Sequence, residues 1–136
     1  MAPVCQHPSS PRSAVRRRAA IDRLLDPELF RAVGEPTRAA ILASLIKCGR
    51  SCSVTEVAEA CSVDFSVVAR HLHALARAGL LDSERSGRTL LYRPKCAELC
   101  ERLRLLIAAI EEWCPNIDPR GGRGACCARR TKGVCP

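Results

Sequence analysis

A chain of 136 residues with 47% apolar side chains holds one domain of about 100 residues plus tails, which excludes wholesale disorder. Aromatics at 3% exclude an all-β sandwich and a stacking platform for single-stranded nucleic acid. The net charge of +8 sits in two tails, residues 1–20 and 115–136, each contributing +4; residues 21–114 are neutral, so charge alone argues only for non-specific attraction to a polyanion.

In chain order, residues 1–20 read as a flexible basic tail containing Arg16, Arg17 and Arg18. No stretch nears the roughly 18 apolar residues of a spanning helix and the start lacks a secretory core, so a cytoplasmic protein with no membrane partner is expected. Asp26-Pro27-Glu28 spells a helix start, and Gly34 ends that helix. Pro36 opens the next, with Ile41, Leu42, Leu45 and Ile46 on one face and Gly49 beyond its end. Ser53 and Glu56 form a capping box for a short helix. Asp64 caps a fourth, whose inner face is Phe65, Val68, Leu72 and Leu75 and which closes at Gly79. The period then changes: Leu80–Arg85 and Thr89–Arg93 flank a Ser86-Gly87-Arg88 turn, a hairpin. A last helix runs from about Lys95 to Trp113 with Leu99, Leu103, Leu106, Ile107 and Ile110 as its apolar stripe. Residues 115–136 read as a flexible tail rich in Cys, Arg and Gly. The expected fold is mainly α, a winged helix-turn-helix over residues 21–114 with a two-stranded β-hairpin wing.

A helix-turn-helix places its second helix in the major groove, so that helix needs small polar or basic side chains near its N-terminus. Ser66, Arg70, His71 and His73 meet the need, with Val67 suited to a thymine methyl. Arg85, Arg88 and Arg93 on the wing suit phosphates or an adjacent minor groove. Arg77 and Arg102 read as solvated charges, and His71 reads alternatively as a hydrogen-bonded helix histidine. Double-stranded operator DNA is the expected partner.

Three segments then resemble one family. Residues 30–42 (FRAVGEPTRAAIL), 66–80 (SVVARHLHALARAGL) and 87–93 (GRTLLYR) are similar, in this order, to the opening, recognition helix and wing of the ArsR/SmtB repressors. The resemblance covers about residues 27–112. It implies a homodimer through the first and last helices, with Leu99, Leu103, Leu106 and Ile110 at the interface, bound to an imperfect inverted repeat and released by an inducer. The Cys-Val-Cys motif of the family's original arsenic sensors falls here on Ser53 and Thr55, so those ligand assignments do not transfer.

The ten cysteines point to metal or redox chemistry rather than a disulfide scaffold. Cys48 and Cys52 lie four apart at a helix end and its loop. Cys61 reads as core in the helix-turn-helix turn, and Cys96 and Cys100 as a shared helix face or interface packing. Cys5 is isolated. Cys126 and Cys127, flanked by arginines, have no core to enter and gain acidity from the positive potential. The expected thiolate site is drawn from Cys48, Cys52, Cys114, Cys126 and Cys127; a separate tail site of Cys126, Cys127 and Cys135 is the alternative. Three thiolates suit As(III) or Sb(III), and two or three suit Hg(II). The last helix has no histidine, which argues against the family's Zn site there. The expected function is a repressor released by such a thiophilic ion, without an organic cofactor. A redox- or persulfide-responsive repressor and a soft-metal chaperone are the alternatives. With no C-x-x-C and no Cys/His/Asp constellation, an enzyme is not expected.

Overall fold

The computed structural model describes residues 10–114, which form seven helices and three short strands. The described residues divide into two units, 26–101 and 10–25 with 102–114.

In the first unit, local chemistry sets nearly every helix boundary. α3 (Pro27–Val33) starts at Asp26, whose carboxylate accepts the Glu28 N–H at 3.0 Å. α4 (Pro36–Cys48) starts at Glu35, whose oxygens accept the N–H groups of Thr37 and Arg38. It stops where Gly49 takes φ +71°, a left-handed conformation that needs no Cβ. α5 (Val54–Cys61) carries the Ser53–Glu56 capping box in both directions, and α6 (Phe65–Arg77) starts at Asp64. Between α5 and α6 the chain turns through Ser62 at φ +52°.

β2 (Leu81–Ser86) and β3 (Thr89–Pro94) pair antiparallel, Ser86 opposite Thr89. The two-residue turn has positive φ at Gly87 and not at Arg88, the pattern of a type II′ hairpin. The sheet has one strand more than the expected hairpin. β1 (Cys52–Ser53) pairs with β3, Cys52 opposite Tyr92 and Ser53 opposite Leu91, giving the order β1-β3-β2. Two residues carry no periodicity, so pairing with a strand nearly forty residues away leaves no local signal.

The core gathers Leu29, Ile41, Leu45, Val57, Val68, Leu72, Leu75, Leu80 and Tyr92. Two expected core members are corrected: Ile46 is 42% exposed and Phe65 55%. Phe65 stands at the first position of its helix, one turn before the buried Val68, whereas Ile46 lies at the edge of its face beside the buried Leu45.

The second unit holds α1 (Pro11–Arg16) and α2 (Ile21–Leu24). Residues 11–16, read from sequence as tail, form a helix because Ser10 accepts the Ser13 N–H and Pro11 sits at the first helical position. α7 (Cys96–Trp113) begins in the first unit and ends in the second, where the Arg17 guanidinium stands 5.1 Å over the Trp113 ring. Leu106 and Ala109 are buried within the chain. Leu106 is therefore removed from the candidate dimer surface: the large apolar side chains that α7 leaves exposed are Leu103, Leu105 and Ile107. Leu99 packs in part against the core and Ile110 is half-buried. No described helix is long and apolar enough to cross a membrane.

Candidate nucleic-acid interface and thiol pair

α6 is amphipathic at the helical period. Val68, Leu72 and Leu75 are wholly buried on one side. On the other, Ser66, Arg70, His73 and Arg77 follow at steps of four, three and four residues, and all are exposed. This stripe includes three residues expected to read DNA and adds Arg77, which charge pattern alone assigned to solvent. Arg77 is as exposed as a solvated cation would be, and its place on the stripe follows from the helical register alone.

His71 and Val67 stand on the flank, both half-buried. The His71 Nδ1 lies 3.7 Å from a Glu35 carboxylate oxygen at the N-terminus of α4. The Arg38 N–H, above all, holds the Glu35 carboxyl below its ordinary range, and His71 adds to this. His71 is thus turned to α4 rather than to the exposed stripe. At the start of α6 the Asp64 carboxylate accepts both the N–H and the hydroxyl of Ser66. These bonds lower its pKa, so the turn carries a full negative charge at neutral pH.

On the wing, Arg85 and Arg88 are exposed at and beside the turn. Arg93, also exposed, lies in register with Asp82, near which the Lys95 ammonium stands at 3.8 Å. Two cations, Arg85 and Arg88, thus stand exposed at the wing tip, with Glu84 next to Arg85 in the chain. Replacing Arg88 by Ala is expected to weaken duplex binding alike for all sequences and to flatten the slope of log K on log salt by about one. A titration across salt concentrations checks this; an unchanged slope removes Arg88 from the phosphate contacts.

The second feature is a pair of thiols. After Cys48, the left-handed turn at Gly49 reverses the chain, and β1 pairing fixes Cys52. The Cys48 and Cys52 sulfurs come within 3.5 Å, and neither forms a disulfide. Cys48 is exposed and Cys52 is 5% exposed. The turn between them is pinned by Arg50, which donates to the Ser51 carbonyl at 2.9 Å and to Glu56 at 2.7 Å. Burial pushes the Cys52 thiol above its ordinary pKa, Cys48 adds to this, and the Arg50 charge opposes it.

The hydrogen bond from Arg50, with that from Ser53, holds Glu56 down to about 2. A depressed carboxyl contributes stability above its unfolded value, near 4.5, and loses it as pH falls towards the folded value. Glu56→Gln is therefore expected to flatten the fall of thermal stability between about pH 4.5 and 2, read as Tm against pH. Because the pair is solvent-exposed, its contribution is modest even at neutral pH, where it is fully present, and is screened further at high salt.

Of the expected thiol ligands, the structure brings together Cys48 and Cys52. Cys114 belongs to the other unit. Cys5, Cys126, Cys127 and Cys135 lie outside the described residues. Among the described residues no group of three Cys, His, Asp or Glu side chains is placed to hold one ion. Cys61 packs partly against the core, and Cys96 and Cys100 are exposed on α7.

A family model for a helix-turn-helix domain matches residues 33–84, from the end of α3 into β2. The HTH-type transcriptional repressor SmtB of Mycobacterium tuberculosis is 42% identical over 66 residues, which are 48% of this chain and 47% of that protein. The match thus spans about half the length of that relative. An ArsR-like transcriptional regulator from Rhodococcus sp. RHA1 superposes with a TM-score of 0.58 at 34% identity, covering 65% of this chain and 81% of that one. A homodimeric winged helix-turn-helix domain from Mycobacterium bovis, 22% identical, shares the fold with a TM-score of 0.53 over 70% of this chain and 89% of that one. Both the order of elements and these likenesses lead to one assignment: the chain belongs to the ArsR/SmtB family of winged helix-turn-helix transcriptional regulators, a family of DNA-binding proteins rather than enzymes.

Proposed function

We propose that this protein is a transcriptional repressor that binds double-stranded operator DNA as a homodimer and is released when a thiophilic ion is captured at Cys48 and Cys52. The observation that carries the DNA reading is the exposed stripe Ser66, Arg70, His73 and Arg77, set opposite a wholly buried face of the same helix and accompanied by Arg85 and Arg88 on the wing. In this reading α6 enters the major groove and the wing meets flanking backbone. Residues 21–114 are the working domain. The homodimeric relative from Mycobacterium bovis supports a two-fold assembly, for which α7 offers Leu103 and Ile107.

The donor set narrows the inducer. Two thiols 3.5 Å apart suit one soft ion and have no affinity for hard cations that seek oxygen. They suffice for Hg(II), whereas pyramidal As(III) or Sb(III) takes one further thiolate. The same closeness favours a second reading. With two thiols converging and no third ligand beside them among the described residues, oxidation to a Cys48–Cys52 disulfide is a competing signal.

The deciding experiment is a gel shift with the full chain on its own upstream DNA, titrated with Hg(II), As(III) and Sb(III) under anaerobic reductant. Release by an ion under these conditions supports ion sensing. Release only by an oxidant supports the disulfide. Arg70→Ala is expected to weaken specific binding by about 1–3 kcal/mol with the fold intact. Unchanged specific affinity would remove α6 from the groove.

A further inference from the structure

The buried face of α6 repeats at Val68, Leu72 and Leu75, each wholly buried. The same period, taken one step towards the N-terminus, lands on Phe65, yet Phe65 is 55% exposed. It occupies the first position of α6, directly after the capping Asp64. Among α5, α6 and the turn between them, it is the one large apolar side chain left exposed.

The chemistry around it restricts what it meets. The Asp64 carboxylate is ionised, with its hydrogen bonds committed to Ser66, and α6 carries no cation before Arg70. The ionised Asp64, with Arg70 as the first cation along α6 to act on it, disfavours a phosphate beside Phe65, so this first turn is suited to base edges rather than to backbone. Along the major-groove edge of duplex DNA the one apolar group is the C5-methyl of thymine. We propose that Phe65 is a specificity-determining residue of the reading helix, packing against a thymine C5-methyl at one position in each operator half-site. The proposal rests on the DNA-binding function proposed above.

The test uses operators that the wild-type full chain selects from a randomised duplex pool. Each thymine is then replaced singly by deoxyuridine, which removes the methyl and keeps every hydrogen-bonding group. Wild type is expected to lose about fourfold in affinity at one thymine per half-site, the worth of one buried methyl group. Phe65→Ala is expected to bind the thymine duplex more weakly and to be indifferent to uridine at that position; Phe65→Leu is expected to retain part of the sensitivity. Thermal unfolding separates contact from fold: an exposed side chain predicts an unchanged midpoint, and a Phe65→Ala variant that unfolds overturns the proposal by returning Phe65 to the core. A uridine profile of Phe65→Ala matching that of wild type also overturns it, as does a wild type indifferent to every uridine. In both of those cases the DNA-binding reading stands. Wild-type protein that enriches no sequence overturns both.

Discussion

Replacing Leu103 and Ile107 together by aspartate is expected to give a monomer and to lower affinity for a two-half-site operator by about 100-fold or more. The two side chains lie four residues apart on one face of α7, 41% and 55% exposed, on a helix with cations and acids elsewhere around it. Apolar side chains left open at helical spacing are the ordinary material of a two-fold interface. Each protomer alone brings one reading helix and one wing to its half-site. Joining two makes the second contact intramolecular, and such linkage raises avidity by about 10²- to 10⁴-fold. Leu105 supplies the control: it is 48% exposed but lies on a different face of the same helix, so Leu105→Asp is expected to remain dimeric. Sedimentation equilibrium and operator titration check both outcomes. A dimeric Leu103→Asp, Ile107→Asp variant moves the interface off α7. Leu106, already buried within the chain, is a poor probe, because an aspartate there disturbs the chain's own packing.

Helix boundaries were legible in sequence because caps are local. Asp26, Ser53 and Asp64 each bind an N–H two or three residues away, and Gly49 reverses the chain by its own φ. The wing was legible for the same reason, since Gly87 fits the turn without help from elsewhere. What sequence could not show was where burial stops. Phe65 and Ile46 continue correct apolar periods, yet a period does not say how wide the covered face is or at which turn cover begins. Arg77 shows the same limit: it is exposed, as a solvated charge should be, and only the helical register places it on the stripe with Ser66, Arg70 and His73. β1 was hidden because its order depends on β3, and so was the reach of Cys52 across to Cys48. Four residues of separation allowed that approach without requiring it; the left-handed turn at Gly49, the Arg50–Glu56 ion pair and the Cys52–Tyr92 register together produce it.

That arrangement gives the thiol pair a route to the DNA-reading elements, and a sharp expected result. Cys52 belongs to β1, which pairs with the wing strand β3, and the next residue, Ser53, caps α5 of the helix-turn-helix. An ion or a bond that draws Cys52 towards Cys48 therefore pulls on wing and helix-turn-helix together. Only a ligand that favours one of two states shifts their balance, and coupling of this kind is typically worth 1–3 kcal/mol, about 5- to 150-fold in affinity. Wild-type protein is expected to lose operator affinity by a factor in this range on saturation with the inducing ion. Cys48→Ser is expected to abolish the loss while repression persists, because Cys48 is exposed and serine preserves the backbone turn. The proton count then identifies the ion. Hg(II) supplied as its chloride complex in excess chloride loses one chloride and displaces one proton for each thiol it binds, so its apparent affinity rises with pH below the raised Cys52 pKa. Arsenous acid releases its hydroxyl groups as water with the thiol protons, so its capture is nearly independent of pH. Competition titrations at two pH values, with operator affinity as the readout, separate the two ions. A Cys48→Ser variant that still responds in full to the ion places the sensing thiolates elsewhere in the chain.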